Sequence, residues 1–439
     1  MTCPHPSRFL AIVAVALGGF ALQSCVNYRA QPLVAERSAT DLEGRTLSGG
    51  TWDRARLTAA ALRMQPELEV ARAKLATAQA AVITAGARPN PAVAFDATNI
   101  SRLLGGASPW PTGFTLDVPI ETAGKRGHRI AQAQALVNAA ALNLSSAEWL
   151  TKSRVRKSLV EMFAAQEREA LVGAQEANQE EAVRLFDARI AAGEVSRVES
   201  LHVHLQFNQS RLLTREAQKQ KAEARATLAA ALGVSVHALD PVRLSFAGLD
   251  VLPPHPSEHT LRRATLLQRS DVLAALAEYA AAEAALHLEI ARQWPDLHLG
   301  PGYSFDQGQD KWTIGFNVTL PVLDQNRGPI AEALAKRREA AANFNALQAK
   351  ALGELELALA RYRGALTKLE TAGQLLAAQE KQQHSAEALF KAGENDRLTL
   401  VSAQVELHAA RLSRLDALLE AQQALGALQD AAQLTLTHD

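Results

Sequence analysis

Four short stretches of the chain alternate apolar and polar residues with period two, which predicts strands whose two faces meet different surroundings. Phe114, Leu116, Val118 and Ile120 share one face, against Thr115, Asp117 and Glu121 on the other. Trp312, Ile314, Phe316, Val318, Leu320 and Val322 alternate with Thr313, Gly315, Asn317 and Thr319. Leu297, Leu299, Tyr303 and Phe305 make another row, and Val93 with Phe95 a short first one. Strands are therefore expected near residues 91–100, 113–121, 296–306 and 311–323.

Between and after these pairs the pattern turns helical. No proline occurs between Pro119 and Pro241 or after Pro329, so nothing there removes a backbone donor or forces a kink. The stretches from His128 to Ala192 and from Ile330 to Ala392 can each run as one helix, roughly 100 Å long at 1.5 Å per residue. Each ends at a glycine, Gly193 or Gly393, which can take the left-handed conformation that ends a helix and lets the chain return.

The two halves repeat one another. Gln65-Pro66-Glu67-Leu68 through Arg88 and Pro91 matches Arg269-Ser270-Asp271-Val272 through Arg292 and Pro295; Phe114 and Pro119 match Phe316 and Pro321; Ala192-Gly193-Glu194 and Arg197 match Ala392-Gly393-Glu394 and Arg397. The spacing drifts only from 204 to 202 to 200 residues across the three, which chance would not preserve. The organisation read from this is a first helical and strand repeat over residues 51–233, a linker over 234–260 containing Pro241, Pro253, Pro254 and Pro256, and a second repeat over 261–439.

The first residues carry a different signal. Arg8 precedes an apolar run from Phe9 to Leu22 and then Gln23-Ser24-Cys25, which reads as a signal peptide over residues 1–24. The apolar core is short of the roughly 20 residues a membrane helix needs. Leu22-Gln23-Ser24-Cys25 resembles a bacterial lipobox, making Cys25 the site of lipid attachment and residues 25–50 an anchored, extended segment. A plain secretory leader with an incidental cysteine is the alternative. Val26 after the cysteine implies, by the same resemblance, the outer membrane.

Composition narrows the functions. Equal numbers of acidic and basic residues, 46 each, and 5% aromatics give no basic face with interleaved aromatics for nucleic acid. No catalytic site emerges, and no phosphate-binding loop that would couple energy. His202 and His204 are two apart on a helix, so they point to different faces. His255 and His259 lie in the linker with no cysteine or clustered carboxylates beside them, and Met64 and Met162 are the only internal methionines; no metal site or cofactor is expected.

Four half-apolar strands cannot close a barrel alone, and in lipid each unpaired edge group costs several kcal/mol. Three copies supplying four strands each, twelve in all, would close one. Soluble hairpins packed on a domain are the competing arrangement, but no other segment offers a large complementary apolar surface. At the turns that follow each strand pair, Lys125, Arg126 and Arg327 are expected near lipid headgroups, with solvated turn residues as the alternative for each.

With its duplication, strand pairs, proline-free rods and Ala-Gly-Glu-x-x-Arg interruptions, the chain resembles the TolC family of outer-membrane efflux factors over nearly all of its length. The turns Thr122-Ala123-Gly124-Lys125-Arg126-Gly127 and Asp324-Gln325-Asn326-Arg327-Gly328-Pro329 are most similar to the CzcC-type branch, which works with heavy-metal pumps. The resemblance implies a mainly α protein with a membrane β-barrel part: a lipid-anchored homotrimer in the outer membrane, extending into the periplasm, passive, and partnered by a periplasmic adaptor and an inner-membrane RND-type pump. It implies adaptor docking at the hairpin tips, Gly193, Glu194, Val195, Ser196 and Arg197 in one and Gly393, Glu394, Asn395, Asp396 and Arg397 in the other. The family's acidic constriction, six and nine residues past the second tip glycine, is not carried over, because those positions hold Thr399 and Ser402; Asp396 or Glu199 would have to supply gating groups. Heavy-metal cations are the expected cargo, with drugs or other small organics as the alternative. A trimeric structural stalk or adhesin and a soluble binding module fit less well, since neither accounts for two inserted strand pairs.

Overall fold

The computed structural model describes residues 28–98, 111–194, 197–253, 257–306 and 308–436. The chain falls into two units, residues 1–45 and 46–439. In the first, the expected extended segment is interrupted by a helix, α1 (Ala35–Glu43). Its residues are mostly good helix formers between Pro32 and Gly44, and the N–H of Gly44 closes the last turn on the Thr40 carbonyl.

The second unit contains both repeats. Each begins with two helices: α2 (Arg54–Met64) and α3 (Pro66–Gly86) in the first, α6 (Glu258–Leu267) and α7 (Ser270–Ala291) in the second. Pro66 explains the first break, because the residue before a proline is pushed out of the helical region, and Gln65 is indeed extended. Asp53 caps α2 by accepting from the Arg56 N–H. The strand pairs follow, β2 (Ala92–Ala97) with β3 (Thr112–Ile120) and β5 (Leu297–Asp306) with β6 (Gln309–Val318). The rods are α4 (Lys125–Ala191) and α8 (Arg327–Lys391), 67 and 65 residues, and their returning partners α5 (Arg197–Leu232) and α9 (Arg397–Ala432), 36 residues each.

β2, β3, β5 and β6 form one antiparallel sheet in that order, leaving β2 and β6 as edges. β6 stops at Val318 rather than near 323: its partner β5 begins at Leu297, opposite Val318, so there is no ladder beyond, and Pro321 has no donor to give.

The segment 234–260 is not a free linker. Its strand β4 (Val242–Leu244) pairs in parallel with β1 (Gly50–Trp52), Leu239 and Leu249 enter a core with Trp52, Leu57, Val155, Leu159, Leu228 and Leu232, and Gln422 donates to the Leu249 carbonyl at 2.6 Å. A second core around Leu261, Leu355, Tyr362, Leu425 and Leu428 serves the other repeat. There the fully buried Tyr362 donates to the Pro253 carbonyl, and burial pushes its phenol up to about 12. Both cores lie near mid-length of the rods, where α4 also packs on α9. Arg156 of α4 ties the repeats by donating to the Gly426 carbonyl, Gln429 and Asp430 of α9.

Candidate functional site

Three regions of the second unit carry what the sequence singled out: the sheet, its junction with the helices, and the two hairpin tips. In the sheet the registers align the apolar rows strand by strand. Phe95, Phe114, Tyr303 and Trp312 stand opposite one another in turn, as do Val118, Leu299 and Phe316, and Ile120, Leu297 and Val318. Neighbouring rings touch, Phe114 to Tyr303 at 5.8 Å and Tyr303 to Trp312 at 5.0 Å between centroids. This face is not buried by the protomer: Trp312, Ile314 and Phe316 are 78%, 74% and 76% exposed. A contiguous exposed apolar face of this kind marks a membrane or protein contact. The opposite face carries Thr115, Asp117, His298, Thr313 and Asn317. Among the described residues no helix is long and apolar enough to cross a membrane.

At the junction, Lys125 corrects an expectation. It is buried rather than presented to headgroups, and its Nζ donates to the Trp294 carbonyl and to Asp296, both at 2.7 Å. Burial opposes the charge on Asp296, but the Lys125 ammonium and the Thr122 N–H outweigh it and hold that carboxyl below the usual range. Arg126 is likewise occupied, donating to the Gly86 carbonyl at the end of α3, a good place for a cation. Arg129 forks onto Glu121 and reaches the Ala85 and Ala87 carbonyls. Arg126 and Arg327 are both exposed, and among the described residues the Arg327 side chain bonds only the Gln325 side chain.

The tips are backbone twins. Gly193 and Gly393 have φ of 73° and 78°. In each, the glycine N–H reaches back to Ile190 or Phe390, and the following Glu194 or Glu394 N–H to Arg189 or Leu389, at 2.9 to 3.1 Å. This is the paired reverse bonding of a left-handed helix ending. Open space surrounds both glycines, so the backbone angle, not crowding, requires them. Glu194, Glu394 and Arg397 are exposed.

Side chains distinguish the tips. Asp396 caps α9, accepting from the Thr399 N–H and hydroxyl at 2.8 and 2.7 Å, and also accepts from Arg189 of the first hairpin at 3.0 Å. Thr399 is thereby used as a cap partner. Arg397 lies over the Phe390 ring and 3.9 Å from Glu181 of the first hairpin. A groove of about 250 Å³ runs between the hairpins, lined by Phe186, Arg189, Glu194, Arg397 and Leu398. Ser402 is exposed beside Gln179, Val203 and Val401. The cross-hairpin pairs formed by Arg189 and Glu181 were not foreseen, because a partner about 200 residues away leaves no local pattern. Of Arg197 and Glu199 only their place in the first turn of α5 is described; Cys25, Val195, Ser196 and His255 lie outside the described residues. His204 contacts Asp187 and His202 contacts Gln206. No group of three or more His, Cys, Asp or Glu among the described residues is placed to hold a metal ion.

The solved outer-membrane channel OprN has the same fold, with a TM-score of 0.71 at 20% identity, covering 86% of this chain and 89% of that one. In sequence the chain is similar to the cobalt-zinc-cadmium resistance protein CzcC of Cupriavidus metallidurans, 26% identical over 70% of this chain and 74% of that protein. It is also similar to the pyoverdine export outer membrane protein OpmQ of Pseudomonas aeruginosa, 24% identical over 83% of each. The family model for outer membrane efflux proteins matches residues 57–234 and 261–432, one segment in each repeat. The chain therefore belongs to the outer membrane efflux protein family, as a TolC-type factor with CzcC-like relatives.

Proposed function

We propose that three copies assemble into a passive exit duct of a tripartite efflux system, with a twelve-strand barrel in the outer membrane and the rods lining a periplasmic bore. The observation that carries this is the four-stranded sheet with one exposed apolar face and two edge strands. In a bilayer, the β6 edge of one copy must be met by the β2 edge of the next. The helices support the same closure. Within a protomer α5 packs on α4, α4 on α9 and α9 on α8, so α5 and α8 form the outer sides of the layer, and both expose leucines: Leu201, Leu205 and Leu212 on α5, Leu375 and Leu389 on α8. Leu212 and Leu375 lie 19 and 18 residues from their tip glycines, the same height of about 28 Å along the rods.

The tips are then the docking points for a periplasmic adaptor linked to an inner-membrane RND-type pump, through Gly193, Glu194, Arg197, Gly393, Glu394 and Arg397. Asp396, with Thr399, Ser402 and Glu199 near it in the tips, would supply any constriction. Acylation of Cys25 would add a lipid anchor. The cargo read from the CzcC relative is heavy-metal cations; the OpmQ relative keeps small organics as the second reading.

Deletion of the gene tests these assignments, with growth scored on zinc, cobalt, cadmium, copper and a panel of drugs. Sensitivity to the metals, cured by the wild-type gene and not by the R197E/R397E double variant although its trimers still reach the outer membrane, is the expected result. Sensitivity to organics alone would overturn the metal cargo, and full resistance in the double variant would remove docking from the tips.

A further inference from the structure

One side chain pair on the polar face of the sheet has no part in the assembly described above. His298, the second residue of β5, places its Nδ1 3.0 and 3.1 Å from the two oxygens of Asp117 on β3. A carboxylate only accepts, so Nδ1 carries the hydrogen and the neutral ring keeps its lone pair on Nε2. Nothing among the described residues bonds that nitrogen. A carboxylate behind an imidazole, fixing its tautomer and orientation, is the outer-shell arrangement of metal-ligating histidines. The neighbouring carboxylates are engaged elsewhere, Asp296 by Lys125 and Thr122 and Glu121 by Arg129; among the described residues the Asp117 side chain bonds His298 alone. The cross-strand neighbours of His298 are Pro119 on one side and Asn317 on the other. Directly opposed residues hold their Cβ atoms about 5 Å apart, so Asn317 is the amide side chain next to His298 on β6.

We propose that His298, oriented by Asp117 and flanked by Asn317, is a weak binding site for a zinc- or cobalt-type divalent cation on the water-facing side of the sheet. The inference rests on the duct reading, which makes the polar face a lumen wall and repeats the site three times at one level near the helical end of the barrel. Imidazole suits late first-row cations, whereas magnesium prefers oxygen ligands. One nitrogen completed by water and an amide holds such an ion loosely, as a passage site must, since binding has to favour entry without preventing exit.

The test is conductance of the purified full-length protein in planar bilayers, with zinc chloride added at fixed ionic strength. Zinc should reduce the wild-type current reversibly where magnesium at the same concentration does not. His298→Gln should abolish the zinc effect, and Asp117→Asn, which keeps the imidazole, should raise the half-blocking concentration about tenfold or more. Equal zinc sensitivity in wild type and His298→Gln overturns the site. Should His298→Gln fail to insert, unchanged sensitivity in Asp117→Asn overturns it instead. A wild-type protein that never conducts refutes the duct itself, a result distinct from a channel that conducts and ignores zinc.

Discussion

The two repeats solve one joint with different chemistry. In each, the break between the two opening helices is sewn to the end of the returning rod. In the first repeat the neutral Gln65 does this, donating to the Ala230 and Ala231 carbonyls at the end of α5, and the rod ends at Gly233 with φ of 72°. In the second the charged Arg269 donates to the Ala431 carbonyl at the end of α9 and to Asp271 and Glu354, and the rod ends at Gln433 with φ of 47°. Gln433 repays its strained backbone by accepting from the Ser270 N–H and hydroxyl at 2.7 and 2.8 Å. Duplication preserved the geometry of the joint and left its bonding free to diverge.

The sharpest way to break the symmetry is at the rod ends. A Cβ on Gly233 would come 2.9 Å from the Met64 carbonyl oxygen and 3.2 Å from the Gln65 Cα, both backbone, and would still suffer the left-handed angle. Gly233→Ala is expected to destabilise by about 2–4 kcal/mol, read from chemical denaturation of the purified protein in detergent. Gln433→Gly relieves its angle while losing two hydrogen bonds, so its net cost should be about 1 kcal/mol or less. Equal costs would mean that the two Gln433 side-chain bonds outweigh the relief of its backbone angle.

The next contrast is ionic against neutral. Arg269→Met leaves Asp271 and Glu354 without their shared cation and the Ala431 carbonyl with only the Thr265 hydroxyl as donor. Burial works against the Arg269 charge, but the two carboxylates outweigh it and raise the guanidinium further above its usual range. Removing one partner of a fully buried pair costs about 3–5 kcal/mol. Glu354 is 42% exposed, so about 2–3 kcal/mol is expected. Gln65→Met should cost about 1–2 kcal/mol, the penalty for carbonyls that lose a neutral donor. A double-mutant cycle of Arg269 with Asp271 measures the ionic part directly.

What could be read from the sequence follows the range of the interactions. The strand faces of Phe114 to Ile120 and Trp312 to Val318 are visible because alternation is local, and the rods because proline is absent from them beyond the first turn. The glycine tips are visible because a left-handed ending needs Gly193 and Gly393 themselves. The end of β6 was misjudged, since Leu320 and Val322 keep the alternation after the partner strand has run out. Lys125 was misplaced for a related reason: nothing near it in the chain announces Asp296, which arrives with the other repeat. The dyad of His298 and Asp117, 181 residues apart, exists only once the register of β3 against β5 is set.

The finest contrast is between the tips, where Asp396 in the second stands in the place of Ser196 in the first. Hydrogen bonds from the Thr399 hydroxyl and N–H, then Arg189, hold the Asp396 carboxyl below its ordinary 3.8 against a small opposing effect of burial. A carboxyl whose value is lower in the folded chain stabilises fully above the ordinary value, and that stabilisation is lost as the pH falls through the lowered one. Asp396→Ala removes the α9 cap and should cost about 1 kcal/mol at neutral pH. Arg189→Ala, which spares the cap and breaks the exposed cross-hairpin pair and a looser one with Glu194, should cost a few tenths of a kcal/mol, and less in high salt. The difference between wild type and Asp396→Ala should shrink once the pH is well below 3.8, to what the neutral acid retains as an acceptor. Hydrogen exchange at the α9 N-terminus across that range follows the tip alone, and a difference that stays constant would show that the charge on Asp396 does not hold the two hairpins together.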